Sequence, residues 1–310
     1  MVHYANSTNC LPYQFRYSLR TCKIQWSTKL KQFHKYHGLG NDFIVMNYIE
    51  KTEELEKELT PHTVAALCQV KYGIGADGLV AIKSSENADF GMKLLNSDGS
   101  EAEVSGNGLR CLALYVKDNG LHNSDRMLIE TMAGLQQVEI VGPDRVKVWM
   151  PKPDFNRATL PMTGEGECVD SEMRFDGQTF KCTAVSIGNP HCVIFEAFDV
   201  GQTIEWGPII ENSSYFPNRT NVEFVEIVDS ERLKVIAYER GAGITQACGT
   251  GATASVAAGI KTGRLQFNRP YIVELLGGEL TITIIKDFRE AILEGEARKV
   301  FEGRIDLAKF

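Results

Sequence analysis

One short pattern occurs twice in this chain, and the repetition constrains the fold more than any other feature. Ser105-Gly106-Asn107-Gly108 opens a helix-patterned stretch, and Cys248-Gly249-Thr250-Gly251 opens another, 143 positions later. Gly40-Asn41 and Gly188-Asn189 sit in strand-turn-strand segments 148 positions apart. Two separate pairs at similar offsets predict a duplicated domain, since either Gly-rich turn alone would be commonplace. Short apolar strands with two helices in each half predict an α+β protein rather than a doubly wound sheet. Thr60-Pro61 has the N-cap and N1 residue types of a helix start, with that helix running to Gly73. The helix from Gly106 should stop at Asn119-Gly120, and the one from Thr250 at Gly263.

Length and charge narrow the functions available. A chain of 310 residues suggests two domains, and one long enough to bury a large core without staples. The formal net charge of -7 argues against a nucleic-acid partner, which needs a basic face. No apolar run approaches the roughly 20 residues of a membrane span. The eight cysteines show no CxxC and no paired framework, so they read as reduced thiols in a cytosol-like compartment. No Asp or Glu precedes Asp42, whereas Arg16, Arg20, Lys23, Lys29 and Lys31 do. Two readings of that segment stand: a disordered bacterial extension or early start codon, or an organelle (plastid) transit peptide, acid-poor and rich in Arg and Ser.

The paired turns carry chemistry because a helix start offers unsatisfied N–H groups and the positive end of a dipole. Glycines let a substrate carboxylate approach that backbone. A cysteine there should have its thiolate favoured and its pKa lowered, which singles out Cys248, beside Glu239-Arg240-Gly241. If the halves are related by a pseudo-twofold axis, Ser105 faces Cys248 across a cleft. Two proton-transfer groups on opposite faces of one carbon are what stereoinversion needs. His37 and His191 lie in separate turns without metal-ligand spacing, so no metal is expected.

With these features in hand, the chain resembles the diaminopimelate epimerase family. The segments HGLGNDFIVMN (from His37), YGIGADGL (from Tyr72), NSDGSEAE (from Asn96), GNGLRC (from Gly106), GNPHCV (from Gly188), NVEF (from Asn221), ERGAG (from Glu239) and ACGTGA (from Ala247) occur in the family's order, from about Phe33 onward. The resemblance implies two similar domains, each with mixed strands wrapped around a central helix, and an active site in the cleft between them. The expected boundaries are an extension over 1–32, a first domain over 33–148 to which 295–310 returns, and a second over 149–294. It implies interconversion of L,L- and meso-diaminopimelate without pyridoxal phosphate or any other cofactor, on the route to lysine and cell-wall crosslinks. A cytoplasmic homodimer is implied as well.

The family uses two cysteines, one before GNG and one before GTG. The second matches Cys248; the first falls at Ser105. By the same match Asn41, Asn96, Asn189, Asn221, Glu239 and Arg240 resemble the substrate-binding set. Gly106, Asn107, Gly249 and Thr250 would present backbone N–H groups to the reacting carboxylate. Glu239 would accept from an ammonium group or orient a neighbour. His191 resembles a family histidine beside the reacting centre, with a turn histidine as the plain structural alternative. Asp77 and Asp98 read as turn or cap residues, and Cys111, six positions along the helix from Ser105, as a core cysteine.

Serine at position 105 breaks the pattern. A hydroxyl is far more basic than a thiol, and a shortfall of about five pKa units would cost roughly 7 kcal/mol. The sequence therefore predicts an intact substrate site with weak epimerisation. The alternatives are a racemase or epimerase of another amino acid and a non-catalytic amino-acid-binding paralogue. A dinucleotide enzyme is excluded, because no G-x-G-x-x-G stands in a strand-helix-strand unit with a downstream acid.

Overall fold

The computed structural model describes residues 30–310, so the acid-poor segment before them, with Cys10 and Cys22, lies outside the described residues. Five helices occur there: α1 Thr52–Glu58, α2 Pro61–Cys68, α3 Gly106–Asp118, α4 Val200–Glu211 and α5 Gly249–Lys261. None is long and apolar enough to cross a membrane.

The strands repeat. In the first half the hydrogen-bonded series runs Arg298–Asp306, Leu30–Gly38, Asn41–Asn47, Gly78–Lys83, Phe90–Asn96, Arg126–Thr131, Gly134–Ile140 and Arg145–Met150. In the second it runs Ser171–Phe175, Gln178–Ser186, Pro190–Ile194, Asn221–Ile227, Arg232–Glu239, Pro270–Leu275, Gly278–Ile284 and Ala291–Glu296. The two series share one order of senses, with the third and fifth pairings parallel and the rest antiparallel. Their last strands pair with each other, Arg145–Met150 against Ala291–Glu296, and so form the seam. The C-terminal strand Arg298–Asp306 crosses back to lie against Leu30–Gly38.

Each series wraps a helix. In α3 every residue from Asn107 to Val116 is buried, and in α5 every residue from Gly251 to Ile260. A helix apolar or small on all sides has to be surrounded, and here strands do the surrounding. The small residues of α5 (Gly251, Ala252, Ala254, Ala257, Ala258) let the second half close tightly on it. The architecture is the α+β arrangement expected, two similar halves of mixed strands around central helices.

Local chemistry sets the helix ends. Thr60 caps α2 by accepting from Thr63 N, with Pro61 at N1. That helix ends at Cys68 rather than Gly73, because Gln69 takes extended backbone and the N–H groups of Ile74 and Gly75 turn back onto Leu67 O. The helix α4 makes up the two expected in the second half, but the sequence did not give its position. Its signal was a capping box, Asp199 accepting from Gln202 N while Gln202 Oε1 accepts from Asp199 N. Asn119 caps α3 and Thr262 caps α5, the latter followed by Gly263 at positive φ.

Candidate active site

The helix starts of α3 and α5 open into one cavity of about 1100 Å³. Ser105 and Cys248 both line it. Each is the extended N-cap residue of its helix, and each accepts from the backbone N–H three positions on: Ser105 Oγ from Gly108 N at 3.1 Å, Cys248 Sγ from Gly251 N at 3.3 Å. The equivalence read from two tetrapeptides is thus an equivalence of geometry. Gly106, Asn107, Gly249 and Thr250, the first residues of the two helices, line the cavity too, and helix starts carry N–H groups without intrahelical partners.

Asn41, Asn96, Asn189, Glu239 and Arg240 also line the cavity. Asn41 and Asn107 tie the first half's turn to its helix: Asn107 Nδ2 donates to Asn41 Oδ1 at 3.0 Å and Asn41 Nδ2 to Asp77 Oδ2 at 2.9 Å. Asn107 Nδ2 also reaches Ala247 O, 3.3 Å away in the other half, so this amide bridges the cleft. Asn96 Nδ2 donates to Ser100 Oγ at 2.9 Å, in a turn where Asp98 accepts from Ser100. Glu239 accepts from the Thr245 hydroxyl. The Arg240 loop is held from behind by Glu211, a buried carboxylate that accepts from Gly241 N at 2.8 Å.

Two residues named from sequence do not line the cavity. Asn221 is buried with its amide consumed by backbone, donating to Pro190 O at 2.9 Å and accepting from Arg240 N at 2.9 Å. It shapes the Arg240 turn and does not line the cavity. His191 is fully buried, with Nδ1 2.7 Å from Glu223 Oε1 and Nε2 2.9 Å from Asn189 Oδ1. Both ring nitrogens are occupied on the Cys248 side, so His191 is not free to serve Ser105 as a base. Among the described residues the Ser105 hydroxyl has no acidic or basic hydrogen-bond partner.

Sequence reasoning missed Glu223 and Arg110, both wholly buried. Glu223 lies beneath the start of α5. A Cβ added to Gly251 would sit 2.7 Å from Glu223 Oε1 and 3.2 Å from Cys248 Sγ, so glycine is required there for the close approach. Burial pushes the Glu223 carboxyl above the usual range. The available signal was an acid inside the apolar strand NVEFV. Arg110 donates to Asn107 Oδ1 at 2.7 Å and to Glu296 O at 3.1 Å, so it fixes the amide that bridges the cleft. Its burial lowers it to about 10.

Cys248 corrects one expectation. Its helix start does supply a donor, but burial pushes the thiol well above its ordinary value, with the Glu239 and Glu223 carboxylates adding to the rise. The Thr250 hydroxyl and Gly251 N–H pull in the opposite direction and are outweighed. Desolvation wins because the sulphur is almost inaccessible, 4% exposed, beside two acids. Cys111 is a core residue as expected, its thiol raised by burial to about 12.

This fold is shared by solved proteins of low sequence identity. A hydroxyproline epimerase from Agrobacterium vitis superposes with a TM-score of 0.64 at 14% identity, over 89% of this chain and 91% of that one. A PhzF-family phenazine biosynthesis protein from Bacillus anthracis gives 0.63 at 18% identity, over 89% and 99%. The class these likenesses define is one of fold alone, an α+β arrangement that both of those proteins also adopt. Within it, the diaminopimelate epimerase family profile matches residues 33–155 and 183–300. The diaminopimelate epimerase of Acetivibrio thermocellus is 42% identical over 282 residues, 89% of this chain and 99% of its own length. That of Synechocystis is 41% identical over 281 residues, 89% and 99%. The chain belongs to the diaminopimelate epimerase family.

Proposed function

We propose that this protein is a pyridoxal-phosphate-independent isomerase that epimerises L,L-diaminopimelate to meso-diaminopimelate in lysine biosynthesis. The single observation that carries the site assignment is the shared cavity with an N-cap side chain at each of two equivalent helix starts. Cys248 exchanges the α-proton on one face, and Ser105 occupies the opposite one. The helix-start N–H groups at Gly106-Asn107 and Gly249-Thr250 hold the reacting carboxylate and stabilise the charge that develops as the proton leaves. Arg240, with Asn41, Asn96 and Asn189, holds the distal amino-acid end. Glu239 receives an ammonium group, and Asn221 and His191 support this set from below. The working domains are 33–148 with 295–310, and 149–294, so that the site lies between them. The assembly we assign is a homodimer in the cytoplasm; the plastid alternative rests on the segment before residue 30.

Serine at position 105 makes the reaction one-sided. A deficit of about five pKa units at that position amounts to roughly 7 kcal/mol. We expect slow α-hydrogen exchange from the Cys248 face and little net epimerisation. The experiment is incubation of L,L- and meso-diaminopimelate in D2O with the protein and with Ser105→Cys, following deuterium uptake and isomer ratio. The reading expects exchange outpacing epimerisation in the chain with Ser105, and a gain in epimerisation in the variant. Full turnover with Ser105 unchanged would overturn the impairment. A substrate panel that finds faster exchange on another amino acid would replace the substrate. Tight binding by calorimetry with no exchange in either protein would make this a binding paralogue.

A further inference from the structure

The acid beneath Cys248 is not required by the fold, and the other half of the molecule shows this. Strand pairing sets His191 against Asn221, with Glu223 two positions further on. The equivalent pairing in the first half sets Phe43 against Gly78, with Val80 two positions further on. Phe43 and Val80 are therefore the counterparts of His191 and Glu223. Val80 Cγ2 would lie 3.6 Å from a Cβ on Gly108, as Glu223 Oε1 would lie 2.7 Å from one on Gly251. One framework thus accepts an apolar pair under Ser105 and a polar pair under Cys248.

We propose that Glu223 is a positioning residue for Cys248: paired with His191 around one shared proton, it fixes the direction of a donor chain through Asn189 and Thr250 that ends on the Cys248 sulphur. This deepens the reading of Cys248 as the proton-transfer group and rests on it. The distances leave room for this chain, and the proposal assigns the His191 tautomer and the donor of the Thr250–Cys248 contact. One proton lies between His191 Nδ1 and Glu223 Oε1, 2.7 Å apart, whichever atom holds it. His191 Nε2 then carries its own proton and donates to Asn189 Oδ1 at 2.9 Å. That contact turns the Asn189 amide so that Nδ2 donates to Thr250 Oγ1 at 3.4 Å. With its lone pair engaged, the Thr250 hydroxyl directs its hydrogen to Cys248 Sγ, 3.5 Å away.

Two consequences follow for the thiol. A Glu223 carboxylate on its own raises the Cys248 thiol, as Glu239 does; the proton it shares with His191 offsets that charge. The donor chain favours the thiolate through a hydrogen bond that exists only when each member points forward. Glu223 Oε2 has no partner, as suits a carboxyl group committed to one bond with the imidazole.

The test reads the Cys248 thiol directly, without turnover. The rate of iodoacetamide alkylation of the Cys248 peptide, followed by mass spectrometry from pH 6 to 11, gives its apparent pKa. The double variant His191→Phe with Glu223→Val copies the pair that packs in the first half, so it is expected to fold; circular dichroism and a melt check this. The expected result is a rise of about one unit in the Cys248 pKa. Glu223→Gln, whose amide can still donate to Nδ1, is expected to keep the natural profile, and Thr250→Val to reproduce the rise. An unchanged or lowered pKa in the double variant would overturn the proposal, because a bare carboxylate acting through space would lower the pKa when removed. A Glu223→Gln profile displaced as far as the double variant's would overturn it too. Because alkylation is independent of substrate, the proposal can fail while α-proton exchange persists, and exchange can fail while the thiol responds as described.

Discussion

Two helix starts of the same geometry face one cavity, and they differ in what lies beneath them. Under Cys248 are a buried carboxyl group and an imidazole. Under Ser105, at equivalent strand positions, are Phe43 and Val80. The backbone geometry is the same at the two helix starts, whereas the side chains beneath them differ. The second half carries a thiol with a polar support. The first half carries an oxygen cap on an apolar floor, along with Arg110, which holds the bridging amide of Asn107. Binding asks only for N–H groups at both helix starts, while proton transfer asks for a titratable atom with partners. Only the second half places a thiol with hydrogen-bond partners at its helix start.

That contrast breaks most sharply under alanine substitution at the two caps. Cys248→Ala is expected to reduce α-deuterium incorporation into diaminopimelate by about 10²–10⁴-fold, the usual contribution of a positioned proton-transfer group. Ser105→Ala should leave incorporation from the Cys248 face within about an order of magnitude of the unsubstituted chain. Equal losses would mean that the hydroxyl takes part as fully as the thiol, and the asymmetry drawn here would be lost.

The same asymmetry marks what the sequence discloses. The repeated tetrapeptides and their offset were visible in the chain, and they located the cavity, both caps and the four helix-start residues. The pairing order of the strands was not visible, because short apolar runs do not say whom they pair with. The helix α4 was lost for a similar reason: its capping box lies in a segment with Gly201, Gly207 and Pro208, which dilute the helical pattern. Glu223 and Arg110 sit in apolar stretches, where an isolated charge reads as a solvated face until tertiary packing buries it. Asn221 looked like a substrate contact through its neighbours in the motif. Only the three-dimensional structure shows its amide spent on Pro190 O and Arg240 N. Burial also reversed the expected direction for the Cys248 thiol, since desolvation depends on packing and not on local sequence.

A second pair of substitutions sharpens the comparison through stability. Gly251→Ala puts a methyl group 2.7 Å from Glu223 Oε1 and 3.2 Å from Cys248 Sγ. Overpacking of this kind costs about 1–3 kcal/mol. Gly108→Ala at the equivalent position meets Ser105 Cβ at 3.4 Å, Val80 Cγ2 at 3.6 Å and Leu94 Cδ1 at 3.7 Å, which are ordinary contacts. Replacing a helical glycine by alanine then favours the helix by up to about 1 kcal/mol. Urea unfolding should place the two variants on opposite sides of the natural chain. Equal destabilisation would show that the floor beneath Ser105 is as tightly filled as the one beneath Cys248.

The smallest expected effect separates capping from chemistry at one atom. The Ser105 hydroxyl oxygen accepts from Gly108 N at 3.1 Å, and serine is among the best N-cap residues. Sulphur is a weaker acceptor, and the 3.3 Å contact of Cys248 with Gly251 N is its counterpart in the other half. Ser105→Cys should therefore lower stability by at most about 1 kcal/mol, a shift of no more than about 1.5 °C in a melt for a protein of this size. The same variant is the one expected to gain epimerisation, so stability and turnover should move in opposite directions at this position. A thermal melt set beside the D2O assay checks both at once. A variant that gained turnover with no loss of stability would show that oxygen at 105 does nothing for the cap that sulphur cannot do.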